Sequence, residues 1–319
     1  MEDKFIGAFL GAAVGDSLGM MVEELPIDDV IEFYGEPVKD LMVPHPSSPS
    51  YFLRPGENTS EFEIITIVAK SIIDRKMIDI KDIIEKYIQW FESSQVHSYV
   101  DPHFLLAIES ILEGQDIEKG GSTIDHALPA IPVGLYHYKN PYLAVEAAKA
   151  VCMLTTRNEL VLDVASAICV ALSELVQDKF YLPDENEYFV KHLKNFTFKN
   201  ETKHYLNKVI NLLREDADYE KAINELGNGS FVLESFSQAL FIFLKTPHDT
   251  ETVIVKAANS YGYYGGDTDS IALLAGLFAG AYNSEESIPE RWKENLLKKE
   301  YIIDIAKKLY EVALHWQEV

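Results

Sequence analysis

Two stretches near opposite ends of the chain place small residues at helical spacing, and they limit the fold more than any other feature. Gly7, Gly11 and Gly15 recur every four residues, with Ala8 and Ala12 beside them. A later stretch, from Ser270 to about Tyr282, carries Ala272, Ala275, Gly276, Ala279, Gly280 and Ala281. A glycine inside a helix costs about 1 kcal/mol relative to alanine. Three on one stripe imply that something approaches the backbone closely. The two helices can pack against each other or against one shared neighbour. If they run antiparallel, the end of the first lies near the start of the second. Asp16 and Glu23 then approach Asp267 and Asp269, so four carboxylates converge from both ends of the chain. The plainer alternative is that the glycines only ease packing in an ordinary core.

The rest of the chain is helical in period. Strand-type alternation is nearly absent, and the Asn228-Gly229 pair precedes a helical pattern rather than a hairpin. Helices are expected to begin near residues 3, 58, 80, 101, 141, 159, 202, 229, 249, 269 and 299. Residues 161–175 are uniformly apolar and read as central. Ile302, Ile305, Ala306, Leu309, Val312 and Ala313 mark one face of a terminal helix. Residues 44–55 hold four prolines and read as a loop, and residues 114–132 read as irregular. Residues 178–218 are more charged and read as peripheral. Apolar helices resume at once beside each irregular stretch, so neither is a linker. The expected fold is all-α, a single-domain orthogonal helical bundle spanning residues 1–319, without a 20–50-residue repeat.

Charge excludes several partners. With 51 acidic and 28 basic residues, the net charge is −23. No nucleic acid and no anionic membrane surface is expected to bind so acidic a chain. Only five residues are arginine. An anionic ligand therefore has to be held by backbone N–H groups, helix N-termini or metal ions. Cys152 and Cys169 lie in apolar helical stretches without C-x-x-C spacing, and read as free thiols of a reducing compartment. Residues 5–22 superficially suggest a signal peptide or membrane span. Glu2 and Asp3 precede that run and Asp16 falls inside it, at high cost in hydrocarbon. A cytoplasmic protein is expected.

The most chemical motif is G-G-D-T-D-S at residues 265–270, opening directly into an apolar helix. Gly265 and Gly266 permit a tight turn with positive φ. Asp267, Asp269 and Ser270 then present oxygens at a helix N-terminus. A cap accounts for one Asp. Two carboxylates and a hydroxyl in four residues also suit Mg²⁺, which takes hard oxygen ligands and keeps room for water and substrate. A G-x-S-x-G elbow, zinc-type His spacing and a P-loop are all missing from the sequence.

These motifs resemble the ADP-ribosylglycohydrolase family, relatives of dinitrogenase reductase-activating glycohydrolase, over nearly the whole chain. Residues 7–23, G-A-F-L-G-A-A-V-G-D-S-L-G-M-M-V-E, are similar to its opening signature, and residues 265–280 to its closing metal motif. Ile288-Pro289 and Trp292 fit the pattern after that helix. The resemblance implies an all-α hydrolase holding one or two Mg²⁺ ions beside ADP-ribose. It implies cleavage of the N- or O-glycosidic bond that joins ADP-ribose to an acceptor. Asp267, Asp269 and Ser270 match metal ligands, Glu23 the catalytic acid/base, and Asp16 a residue supporting the site. Thr59 and Glu61 match the second metal motif.

The sequence departs from the family at several places. The second motif is typically Thr-Asp-Asp-Thr; here it reads Thr59-Ser60-Glu61-Phe62. Ser60 removes one carboxylate, and Thr59 is also readable as a simple N-cap. Glu63 points elsewhere on a helix. The ligand-cradling stretch becomes residues 122–128, S-T-I-D-H-A-L, with Ile124 among them and without Asn-Gly or Arg. The family's Thr-His becomes Thr155-Thr156. Ser122 and His126, with Gly265 and Gly266, are the candidate substrate contacts; His126 is equally readable as a hydrogen-bonded structural residue. Three readings follow: an active hydrolase of ADP-ribosylated substrates, a catalytically weakened or silent binding homologue, and a structural protein that only keeps the fold.

Overall fold

The first helix, α1 (Glu2–Gly19), is buried on every side from Phe5 to Gly19. In a computed structural model, which describes residues 1–93, 99–117 and 120–315, it forms the centre of the molecule. The helices that follow are α2 (Ile27–Tyr34), α3 (Ser60–Arg75), α4 (Ile80–Phe91), α5 (Pro102–Leu112), α6 (Ala130–Tyr136), α7 (Pro141–Cys152) and α8 (Glu159–Val176). The second half adds α9 (Asn186–Lys194), α10 (Asn200–Arg214), α11 (Tyr219–Leu226), α12 (Val232–Lys245), α13 (Thr250–Ala258), α14 (Thr268–Asn283), α15 (Glu290–Asn295) and α16 (Lys299–His315). Among the described residues there is no strand, only two isolated bridges, Gly120 with Thr156 and Thr123 with Phe231.

Helix α14 lies along α1, and the small-residue stripes are the reason. A Cβ on Gly11 would sit 2.1 Å from the Gly276 carbonyl oxygen, and one on Gly276 2.2 Å from that of Gly11. Gly7 meets Gly280, Gly15 meets the Ala272 carbonyl, and Gly19 meets that of Thr268. Each step of four forward along α1 is a step of four back along α14. The pair is therefore antiparallel, as the stripes predict. On α1, no side chain larger than hydrogen fits at these crossings. Helices α13, α16 and α3 close around the pair, and α12 backs α14.

All eleven expected helices form, each starting within three residues of its expected position. Residues 44–55 contain no helix. Helices α2, α6, α9, α11 and α15 were not expected. Helix α6 corrects the irregular reading of residues 114–132, of which 118 and 119 lie outside the described residues. Its Pro132 sits in the first turn, where backbone N–H groups have no partner within the helix. A 3₁₀ turn, Ile124–His126, precedes it. Helices α9 and α10 occupy the charged stretch 178–218. They pack on α8 and α12 through faces that include Phe189, Leu193, Leu206 and Val209.

The chain's last third also sets the entrance to α3. Leu297 N donates to the Gly56 carbonyl (2.8 Å), and a Cβ on Gly56 would lie 2.0 Å from the Asn295 carbonyl. Trp292 is fully buried and donates from Nε1 to the Lys39 carbonyl (2.9 Å). Residues 56–59 are thereby clamped ahead of α3. None of the described helices is long and apolar enough to cross a membrane.

The α1–α14 contact gives a direct prediction. Gly11→Ala drives a methyl group into backbone on the facing helix, and should lower unfolding stability by about 3 kcal/mol in denaturant titration. A change within about 0.5 kcal/mol, the range of an ordinary surface substitution, would show that the helices part without cost.

Candidate active site

The antiparallel pair delivers the end of α1 to the start of α14. Thr268 Oγ1 donates to the Gly19 carbonyl there (2.8 Å). Residues 20–25 turn away from α1 and carry Glu23 and Glu24 into a cleft. Gly265 is needed at the facing wall: its φ is +92°, and a Cβ would lie 2.5 Å from the Glu24 carbonyl. Gly266 accepts from Glu24 N through its own carbonyl (2.9 Å). Asn228 braces this turn, donating from Nδ2 to the Ser260 and Gly265 carbonyls (2.7 and 3.0 Å). Its own carbonyl accepts from Asp267 N (2.8 Å).

Asp267 occupies the N-cap position of α14 but makes no side-chain cap bond. Its carboxylate instead faces two hydroxyls, Ser235 Oγ (2.8 Å) and Ser270 Oγ (2.9 Å). Ser270 Oγ also lies 2.6 Å from Glu61 Oε1. A hydroxyl has one proton, so it can donate to only one of these two carboxylates. Glu61 Oε2 is buried with no hydrogen-bond partner among the described residues. Asp16, at 0% exposure, accepts from Thr59 Oγ1 (2.6 Å), Thr59 N (2.8 Å) and Asn58 Nδ2 (2.8 Å). It thus ties α1 to the start of α3. Thr59 also caps α3, accepting from Glu61 N (3.3 Å).

Two carboxylate triads result. Asp16, Glu61 and Asp269 bring one oxygen each within 4.8 Å of one another, and so do Glu23, Asp267 and Asp269. Asp269 belongs to both. The donor set is all oxygen and anionic, as hard divalent cations require. The unpartnered Glu61 oxygen and the proton-deficient Ser270 contacts are what a cation would satisfy. The residues therefore fit a metal ion.

The surrounding cleft encloses about 470 Å³. Seven carboxylates line it, from Glu23, Glu24, Glu61, Asp101, Asp125, Asp267 and Asp269, and no Lys or Arg does so among the described residues. Tyr99, Thr123, Gly229, Ser230, Tyr264, Gly265 and Gly266 complete the wall. Burial pushes the Asp16 and Asp125 carboxyls up to about 6. Burial, then the neighbouring carboxylates, pushes Glu23, Glu61 and Asp269 well above the usual range.

The residues singled out from the sequence fall in different places. Glu23, Glu61, Asp16, Asp267, Asp269, Ser270 and Thr59 converge, and Gly265 and Gly266 line the cleft. Ser122 and His126 do not line it. The Ser122 carbonyl accepts from Val232 N (3.0 Å). His126 is fully buried, its Nδ1 3.0 Å from Thr155 Oγ1 and its Nε2 3.3 Å from Asp101 Oδ1. Its neighbour Asp125 is the residue of that 3₁₀ turn that reaches the cleft. Ser60 turns away, donating to the Tyr99 carbonyl (2.7 Å). Glu63 accepts from Trp90 Nε1 (2.8 Å). Thr156 Oγ1 donates to the Gly121 carbonyl (2.9 Å), and Ile124 is core. Sequence reasoning missed Asp125, Asp101, Ser235 and Asn228. Asp125 stood beside the chosen His126; the others carry no local motif.

The raised carboxyls set a pH dependence. Between about pH 4 and pH 6 the folded chain holds protons on Asp16 and Asp125 that the unfolded chain has released. Stability of the metal-free protein is therefore expected to fall as pH rises through that window. A divalent cation should raise the melting temperature more at pH 7.5 than at pH 5.5, because protons compete for the same oxygens. Scanning calorimetry at both pH values checks this; equal or inverted cation shifts would contradict it.

Comparison with known proteins gives the family. The family model described as ADP-ribosylglycohydrolase matches residues 1–318. An uncharacterized protein of Archaeoglobus fulgidus is 31% identical over 316 residues, covering 98% of this chain and 97% of that protein. The ADP-ribosylarginine hydrolase Tri1 of Serratia proteamaculans is 24% identical over 324 residues, covering 98% and 80%. A solved ADP-ribosylglycohydrolase-related protein complex superposes with a TM-score of 0.72 at 22% identity, over 98% of both chains, a likeness of fold. The chain belongs to the ADP-ribosylglycohydrolase family of glycosidase-type hydrolases.

Proposed function

We propose that this protein hydrolyses the N- or O-glycosidic bond between ADP-ribose and an acceptor, with Mg²⁺ as its cation. The observation that carries the reading is the pair of carboxylate triads sharing Asp269 at the floor of an open cleft. Asp269, with Asp16 and Glu61 on one side and Asp267 on the other, is assigned to hold one or two ions. Bound Mg²⁺ supplies positive charge and Lewis acidity toward ribose and diphosphate oxygens. Ser270 and Thr59 orient the carboxylates through their hydroxyls.

Glu23 is assigned as acid/base. It stands at the cleft wall, and its raised carboxyl is suited to keep a proton for the departing acceptor atom. As the bond at the anomeric carbon breaks, that proton moves to the acceptor. The resulting carboxylate can then take a proton from the incoming water. Gly265 and Gly266 let the ligand approach backbone. We assign His126 to hold Asp101 and Thr155 in place. The reading includes a single domain, supported by one core cluster that runs from Phe5 to Ala313. It also includes a cytoplasmic setting, supported by the buried free thiols Cys152 and Cys169.

A binding homologue without turnover is the second reading. Ser60, turned toward Tyr99, and Thr156, bonded to Gly121, favour it because neither offers a group to the cleft. Arginine-linked and serine-linked ADP-ribosyl peptides, incubated with the Mg²⁺-loaded protein, separate the two readings. Release of ADP-ribose from one of them is expected. Glu23→Gln should lower kcat by about 10²–10⁴-fold while leaving ADP-ribose affinity intact. Tight binding of ADP-ribose with no release from either peptide would replace the hydrolase reading with the binding one.

A further inference from the structure

A groove of about 550 Å³ lies between α3, α4 and the start of α16, and shares no lining residue with the acidic cleft. Its volume is that of a small-molecule site. Lys70, Lys86 and Lys298 reach it from three separate segments of a chain whose net charge is −23. Lys86 is already engaged by Asp74 (2.8 Å) and Asp82 (3.6 Å). Lys70 and Lys298 are not: among the described residues neither has a carboxylate within 4.0 Å, although the chain has 51 acidic residues. Glu57, on which Lys298 acts from further away, is paired with Arg54 (3.1 Å). Glu63 is the one acid that lines the groove, and its Oε2 accepts from Trp90 Nε1 (2.8 Å).

Lys298 stands there against two local preferences. Its φ is +63°, a left-handed backbone that costs free energy for any residue with a Cβ. Its carbonyl accepts from Ile302 N (3.0 Å), so it sits at the N-terminal end of α16, where a cation meets the positive end of the helix dipole. Glycine would remove the first cost, and an acidic side chain the second. Local rules broken together at one residue point to a role outside folding.

We propose that this groove binds a ring compound carrying a phosphate monoester, with the phosphate held by Lys70 and Lys298 and the ring against the apolar wall of Ile67, Trp90 and Tyr301. A phosphate monoester carries nearly two negative charges at neutral pH, which matches the two uncompensated ammonium groups. Lysine holds a phosphate as a point charge, so no bidentate geometry is demanded of these long side chains. A carboxylate would leave one lysine uncompensated. Inorganic phosphate would satisfy both but leave the apolar wall wet, and Tyr301 is 42% exposed in the empty groove. Helix α3 sends Glu61 to the acidic cleft and Glu63 to the groove, yet the two sites have no lining residue in common. The proposal is therefore independent of the hydrolase reading.

The test uses the full chain with Mg²⁺, phenyl phosphate as probe, and inorganic phosphate and benzoate as its counterparts. Phenyl phosphate should shift the NMR signal of the Trp90 indole N–H saturably, bind about tenfold more tightly than either counterpart, and weaken as salt is added. Excess ADP-ribose should not displace it. Lys70→Met should weaken the probe about tenfold with the melting temperature unchanged. Lys298→Gly should weaken it as much without lowering the melting temperature, since glycine accepts the left-handed backbone; a lysine kept only for the fold would make this variant melt earlier. No saturable shift, equal binding of the three anions, wild-type affinity in both lysine variants, earlier melting of Lys298→Gly, or displacement by ADP-ribose would overturn the proposal.

Discussion

Everything at the site depends on a backbone-to-backbone contact between the first helix and the fourteenth. Gly7, Gly11, Gly15 and Gly19 let α1 lie directly against the carbonyls of α14. At that distance the register cannot slide without driving a side chain into backbone. The register in turn places Asp16 below Asp269, and the turn after Gly19 beside Gly265. Two segments some 250 residues apart in sequence, as Thr268 is from Gly19, thereby build one acidic floor. The rigidity of the clasp is what allows five carboxyls to be held close together.

That closeness works against the fold. Asp16, Glu23, Glu61, Asp267 and Asp269 are buried, mutually repulsive, and all shifted toward the protonated form. A sequence selected only for stability would not keep them. Functional sites are where local rules are broken and offset elsewhere. Here the offset comes from the large apolar core around α1 and from hydroxyl donors at Thr59, Ser235 and Ser270. A cation would complete it, taking up the oxygens that these hydroxyls leave unserved.

Much of this was legible in the sequence, and the physical reason is periodicity. The long helices repeat their apolar face over several turns, so α1, α8, α14 and α16 are plain. The five unexpected helices have nine residues or fewer. In α6, Pro132 and Gly134 disguise a first turn that tolerates proline and a close approach to Cys169. The site was legible where it is carried by a motif, as at residues 265–270, or by stripe geometry, as for Asp16 and Glu23. It was not legible where a 3₁₀ turn decides direction. Asp125 and His126 are adjacent, yet one faces the cleft and the other is walled in by Asp101, Phe104 and Thr155. Ser235 and Asn228 act through tertiary contacts that no spacing announces.

Asp269 belongs to both carboxylate triads, so a cation on the cleft floor would have to meet it. Anomalous diffraction from crystals soaked in Mn²⁺, a hard cation that prefers the same oxygen ligands as Mg²⁺, tests this most directly. The expected result is one or two peaks on the cleft floor, each against Asp269, one position lying among Asp16, Glu61 and Asp269 and the other between Asp267 and Asp269. No peak in the cleft, or a cation held there without Asp269, would contradict it.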